Sequence, residues 1–247
     1  MKISIITVCW NSEKFISDAM QSVLDQDYTD IEYIIVDGAS TDRTLEHIRK
    51  YQSKFGDRMK WISEKDKGIY DAMNKGIQMS SGKVIGILNS DDFYVDNKVI
   101  SKVMSIFKNT RVDGVYANLF YVDPETLKIK RKWITGLQRS FSSGWHPAHP
   151  TFFVTKECYN RFGLFDTSLP IAADFVLMLR FVEKNKIKLS YFPEFILKMR
   201  LGGESNKSIK NIFKGNREIL QAFKKNKIPY GIGYTPKRWI SKIIQYF

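Results

Sequence analysis

Cysteine, histidine and long apolar runs are all scarce in this sequence, and each scarcity removes a class of protein. Cys9 and Cys158 are the two cysteines among 247 residues. They lie far apart and make no metal-ligand spacing, so the chain carries neither a disulfide framework nor a zinc module. No apolar run approaches the roughly 20 residues of a bilayer-spanning helix, and no segment reads as a secretory leader. A reducing cytosol is therefore the expected compartment. Acids are scarce in one region only: residues 198–247 hold twelve Lys and Arg against Glu204 and Glu218, which places +10 of the formal +13 there and about +3 on the first 197 residues. A basic tail on a near-neutral body suggests a polyanionic partner, either anionic lipid or nucleic acid. With 43% apolar residues the chain can bury one large α/β domain, with or without an appendage.

What the sequence does contain is a repeated strand-then-helix rhythm. Ile3 to Cys9 is a β-branched run, and Glu13 to Asp25 has helical spacing that Asn11 or Ser12 could cap. Ile31 to Asp37 is a second strand, followed by a helix from Ser40 to about Phe55. Met59 to Ser63 is a third strand and Gly68 to Met79 a short helix. Short links between such units predict right-handed βαβ crossovers and a mainly parallel sheet. Beyond Asp92 the rhythm changes: a helix at 97–108, a hairpin from Gly114–Asp123 and Lys128–Trp133, a polar loop with His146 and His149, a strand at 151–154, a helical turn at 155–162 and a helix at 172–184. A Gly-bearing linker at 201–206 precedes a helix at 207–225.

The chemistry concentrates at Val84–Phe93. There an apolar strand ends on Asp91 and Asp92, at the rim where open α/β sheets bind ligands. Neighbouring carboxylates in a desolvated crevice repel, so a divalent metal or a set of donors is the natural third party. The plainer alternative is a helix N-cap for the segment that follows. Asp37 ends a second parallel strand, so three carboxylates converge on one edge.

Ser4-Ile5-Ile6-Thr7-Val8, Ile34 to Asp42 and Leu88-Asn89-Ser90-Asp91-Asp92 together resemble the signature blocks of family 2 glycosyltransferases with the GT-A fold. Ser63 to Gly76 is similar to a block of the branch that builds bacterial surface polysaccharides of the colanic-acid and capsule type. The resemblance covers about residues 1–200, a donor half at 1–108 and an acceptor half at 109–200, with basic amphipathic helices at 201–247. It implies inverting transfer of a hexosyl or N-acetylhexosaminyl group from a nucleotide sugar, UDP by family tendency, to a lipid-linked glycan at the cytoplasmic face. Thr7 and Asp37 would hold the nucleobase, and Cys9, Lys67, Asp71 and Asn74 would approach the donor. Asp91 would lie toward the ribose, and Asp92 would ligate Mn²⁺ or Mg²⁺ at the diphosphate, helped by Asp91 and His149. By position Asp174 would be the general base, although a first-turn Asp can also simply favour the helix dipole. Gly38 and Asn89 stand where many relatives carry acids.

Two other classes compete. A nucleotidyltransferase would bring a Gly-rich phosphate loop, which residues 7–16 lack. A nucleic-acid binder would interleave basic and aromatic residues over a folded face, whereas here the cations gather beside apolar residues near the end. Lys237 to Phe247, with Trp239, Ile240, Ile243 and Ile244, has the composition of a segment lying in an anionic membrane interface.

Overall fold

The computed structural model describes residues 1–202, 209–231 and 234; the expected membrane segment at 237–247 lies outside the described residues. Strands β1 (Ile3–Cys9), β2 (Ile31–Asp37), β3 (Met59–Ser63) and β4 (Val84–Ile87) form a parallel half-sheet in the order β3-β2-β1-β4. The sheet continues through β8 (Phe153–Thr155), β6 (Gly114–Val122), β9 (Leu189–Arg200) and β5 (Phe93–Tyr94), with β7 (Ile129–Trp133) paired on β6. β8 runs against both β4 and β6, so the second half is mixed. β1, β2 and β4 are buried on both faces, which is why they read as unbroken apolar runs.

Helices α1 (Ile16–Leu24), α2 (Thr44–Phe55) and α4 (Val99–Asn109) cover one face, and α3 (Ile69–Met79), α5 (Lys156–Phe162), α6 (Ala173–Leu179) and α7 (Ile209–Lys225) the other. The amphipathic helix expected at 207–225 docks on the domain: Ile219, Ala222 and Phe223 of α7 join the core that contains Phe175 of α6. No helix among the described residues is long and apolar enough to cross a membrane.

Three departures from the expected elements have a visible reason. Neither Asn11 nor Ser12 caps α1 with its side chain, and the helix begins at Ile16. The amides of Ser12 and Glu13 are instead taken by Thr44 Oγ1 at 2.8 Å and Asp42 Oδ2 at 3.1 Å, stitching this turn to the start of α2. The helix expected through Lys184 widens into a π-helical turn at Arg180–Lys184. β9 was not anticipated: Pro193 and Glu194 interrupt its pattern, and the ladder with β6 steps from Ala117–Phe192 to Asn118–Phe195, leaving those two residues as a bulge. A proline cannot donate to a ladder, so it is confined to such a bulge.

Candidate active site

Parallel register brings the ends of three strands to one rim. Cys9 pairs with Asp37 and Ile6 with Ile87, and Ser12 Oγ lies 3.0 Å from Ser90 Oγ, joining the loop after β1 to the loop after β4. Two residues expected to contact the nucleobase are turned inward. Odd-numbered positions of β1 face the layer of α1, α2 and α4, so Thr7 is fully buried and accepts from Tyr33 OH at 3.0 Å. Asp37 is also fully buried and accepts from Ser40 N (3.0 Å), Ser63 Oγ (2.6 Å) and Ser40 Oγ. It closes the turn after β2 and ties β3 to it. Cys9 lies against Asp37 at 3.5 Å, and burial together with that carboxylate pushes its thiol up, so it is held neutral.

Other residues occupy the rim. Trp10, the first residue beyond β1, is 68% exposed. Asp66, in the loop before α3, approaches the turn after β2 so closely that a Cβ on Gly38 would come 3.2 Å from its Oδ2. A carboxylate thus stands beside position 38, that of Asp66, whose pKa is raised by burial against the pull of its partner Lys75. Sequence reasoning missed both residues. An aromatic just past a strand end, and a glycine where an acid is usual, were the available signals.

Asp71 accepts from Lys67 N at 3.0 Å across the first turn of α3, and Lys75 Nζ lies 3.6 Å away. Lys67 itself is exposed. Asn74 does not face the rim as a ligand group: its amide donates to Phe165 O and accepts from Phe165 N, both at 3.0 Å, so its side chain fastens α3 to the 163–170 loop.

The acidic pair follows β4 in a tight turn. Asp92 is 1% exposed, accepting from Asn89 Nδ2 at 2.9 Å and Arg200 N at 3.3 Å. Asp91 is half-buried, and among the described residues no side chain donates to its carboxylate. Burial raises both carboxyls, and Asp91 raises Asp92 further. The opposing charge is Arg200, at the end of the unanticipated β9. Its buried guanidinium donates to Asp91 O at 2.6 Å, pairs with Asp18 and lies over the rings of Phe15 (4.4 Å) and Phe93 (4.9 Å). The plain helix-cap alternative does not hold, because the next helix, α4, starts at Val99 and has no side-chain cap.

Asp174 stands in the first turn of α6, where its Oδ1 accepts from Tyr70 OH at 3.2 Å. The same hydroxyl is 2.9 Å from Ile171 O. From α7, the buried Glu218 accepts through one oxygen from Ile171 N (3.1 Å) and Ala172 N (2.8 Å). Tyr70 and Glu218 together fix the backbone that delivers Asp174. His149 is buried edge-on to Phe165 at 5.5 Å, and burial lowers its pKa while Asp174 opposes that shift. Its charged neighbour is therefore Asp174 and not the acidic pair. His146 packs between Trp133 and Phe175 at 5.2 and 5.3 Å.

The expected set of Asp91, Asp92 and His149 is not assembled, and among the described residues no three His, Cys, Asp or Glu side chains come together as ion ligands. The residues fit a hard cation in a different way. One open carboxylate backed by a second is the number of protein ligands that Mg²⁺ or Mn²⁺ takes when phosphate and water complete its shell.

A parallel half-sheet ending in an acidic turn, continued by a mixed half that carries a separate carboxylate, is the architecture of the GT-A fold. Residues 4–169 match glycosyl transferase family 2, and the chain belongs to that family. An uncharacterized glycosyltransferase of Haemophilus influenzae is 26% identical over 243 residues, covering 92% of this chain and 73% of that protein. The chondroitin synthase of Escherichia coli is 29% identical over 212 residues, covering 85% of this chain and 30% of its own length. An uncharacterized Nostoc glycosyltransferase is 34% identical over 123 residues, half of this chain and 38% of that one. The chain thus spans well under two thirds of some of its relatives. Among solved structures, Staphylococcus aureus TarS 1–349 with UDP superposes with a TM-score of 0.69 at 17% identity, covering 96% of this chain and 68% of that one. The Pyrobaculum calidifontis mannosyltransferase with GDP-Man and Mn²⁺ gives 0.70 at 16%, covering 99% and 69%. At such identities these two establish the fold alone.

Proposed function

We propose that this chain is an inverting glycosyltransferase that moves a sugar from a nucleoside-diphosphate donor to a growing, lipid-linked surface glycan. The observation that carries the reading is the shared rim of strand ends: Trp10 after β1 and Asp66 after β3 both flank Gly38 in the turn after β2, and Asp91 follows β4, whose loop is joined to the loop after β1 through Ser12 and Ser90. In this reading the exposed indole of Trp10 stacks on the nucleobase, and Asp66 accepts from a ring N–H, a contact that suits uracil or guanine. Asp37 and Thr7 support the rim from beneath. Asp91, the open member of the acidic pair, faces the diphosphate, and Asp92 holds the turn in place. Bound Mn²⁺ or Mg²⁺ would neutralise the charge of the departing diphosphate, with Asp91 its first protein ligand. Asp174 takes the proton of the acceptor hydroxyl, held by Tyr70 and by the backbone clamp of Glu218. UDP is the donor nucleotide we favour, because both TarS complexes carry it, as UDP or UDP-GlcNAc.

Thermal melting against UDP, GDP, dTDP and CMP, each with and without Mn²⁺, tests the reading. A ligand at 100 times its Kd adds ~2.7 kcal/mol. One nucleoside diphosphate should stabilise the wild type only with metal, and Asp91→Ala should abolish that gain. Stabilisation by none of them, at any metal concentration, would overturn the proposal.

A further inference from the structure

Besides the cations of residues 198–247, the folded chain carries a second basic region, on the β6–β7 hairpin. Residues 127–139 contain five Lys and Arg and no acid. They form β7 and the loop after it. β7 pairs with β6 alone, so it is an edge. The aromatic side chains here are turned inward: Trp133 stacks on Tyr121, and the Arg131 guanidinium covers the Tyr121 ring at 4.4 Å. What protrudes is aliphatic. Ile129 is 49%, Ile134 61% and Leu137 75% exposed, flanked by the exposed cations Lys128, Lys132 and Arg139.

We infer that this hairpin is a docking surface for an anionic lipid interface. Three protruding aliphatics gain nothing from water, and the cations around them select a negatively charged surface into which those side chains can insert. A single-stranded nucleic acid would call for open aromatic faces, and those faces are closed here. A second copy of the chain adding to the edge would have to bury the lysines that alternate along β7, a pattern that blocks edge-to-edge pairing.

The position gives the surface a purpose. Trp145 Nε1 donates to Thr135 O at 2.8 Å, and Tyr116 OH to Gly136 O at 3.1 Å. Trp133 meets His146, which meets Phe175, the neighbour of Asp174. The loop after β7 is therefore seated on the wall of the half that carries Asp174, and docking it would bring that wall to the lipid. This last step rests on the proposed role of Asp174, whereas the docking itself does not.

The test is co-sedimentation with phosphatidylcholine vesicles, with and without phosphatidylglycerol, using the full chain, a Lys128→Gln/Lys132→Gln/Arg139→Gln variant, an Ile134→Ser/Leu137→Ser variant and a truncation ending at 236. The wild type should bind only the anionic vesicles. At about fivefold per cation near the surface, the charge variant should bind on the order of a hundredfold more weakly. The aliphatic variant should lose at least tenfold, with unchanged melting temperature and unchanged transfer to a soluble acceptor. The truncation should keep a component that the hairpin substitutions remove. Undiminished vesicle binding in both hairpin variants, complete loss on truncation alone, or binding of RNA but not of vesicles would each overturn the inference. Docking that survives while Asp174→Asn leaves transfer intact would overturn the role of Asp174 and not the surface.

Discussion

The sheet buries carboxylates at both of its ends and treats them in opposite ways. At the N-terminal edge Glu32 is almost completely enclosed, yet it accepts from Ser4 Oγ (2.6 Å), Ser81 N (2.7 Å), Ser81 Oγ (2.9 Å) and Lys60 Nζ (2.8 Å). Burial alone would raise its pKa, but Lys60, Ser4 and Ser81 together pull it down to about 2. Gly82 lets this knot close, since a Cβ there would come 2.6 Å from Ser4 N. At the C-terminal edge Asp91 and Asp92 lie side by side, both raised, with the backbone of Arg200 and a single Asn89 amide supplied to them. One edge completes its own hydrogen bonding, and the other leaves two neighbouring carboxylates with two donors between them. With the proposed donor site at the second edge, stability is concentrated at the first edge and ligand binding at the second, a division expected where function is maintained against local stability.

The largest effect that could break this comparison is at Asp91. Asp91→Asn should lower glycosyl transfer on the order of a thousandfold, the cost of removing a preorganised charge contact at a reacting centre. The same substitution should raise the melting temperature of the ligand-free protein, because it ends a buried repulsion. A lower melting temperature would mean that the acidic pair is structural, and the contrast between the edges would disappear.

Glu32→Gln comes next and has the reverse signature. It should cost on the order of 2–3 kcal/mol of stability, since a carboxamide cannot accept from four donors at once, with the transfer rate constant unchanged. The pH dependence separates the two edges. Glu32 has a depressed pKa, so its contribution is present above its unfolded value of 4.5 and is lost as pH falls from there toward 2. Asp91 and Asp92 have elevated pKa values, so the ligand-free protein should gain stability as pH falls through those values from neutrality. The melting temperature should therefore pass through a maximum on acidification. Asp91→Asn should flatten its neutral side and Glu32→Gln its acid side, and a monotonic profile in the wild type would contradict both assignments.

The sequence reveals the strand ends more clearly than it reveals which side chains face outward there. β1 to β4 and their closing carboxylates are visible because doubly buried strands are written as apolar runs. Orientation within them is not visible, because a run with no polar alternation carries no phase. Thr7 could thus be placed at the rim when it lies in the core, and Trp10 overlooked. The local partners of Asp37 are not visible in the sequence for another reason: a short turn can engage a carboxylate through Ser40, and a neighbouring strand end through Ser63. Asp66 and Arg200 depend on tertiary approach. Asp66 reaches Gly38 from a different crossover, and Arg200 ends a strand whose pattern is broken by Pro193 and Glu194. The base role proposed for Asp174 rests on family resemblance, because its first-turn position alone fits a helix-dipole role equally well.

Glu218 is intermediate between the two edges, with one carboxylate oxygen holding Ile171 N and Ala172 N and the other buried without a hydrogen-bond partner among the described residues. If it positions the backbone ahead of Asp174, Glu218→Ala should lower kcat about tenfold with the donor KM unchanged. Glu218→Gln, which keeps an accepting oxygen, should restore most of the rate. A loss equal in both variants, tracking the fall in melting temperature, would reduce Glu218 to a general packing role.

The smallest effect expected is at Trp10, and it isolates ligand binding from the fold. With Trp10 68% exposed, Trp10→Ala should leave the stability of the free protein within about 0.5 kcal/mol of wild type. Stacking on a nucleobase contributes ~1–3 kcal/mol, so the donor KM should rise five- to hundredfold with kcat nearly constant. Trp10→Phe should recover much of that affinity because it retains an aromatic face. Calorimetric titration of the nucleoside diphosphate into both variants separates this from a change in the acceptor step: equal affinities for wild type and Trp10→Ala would mean that the exposed indole serves some other contact, and that Asp66 alone recognises the base.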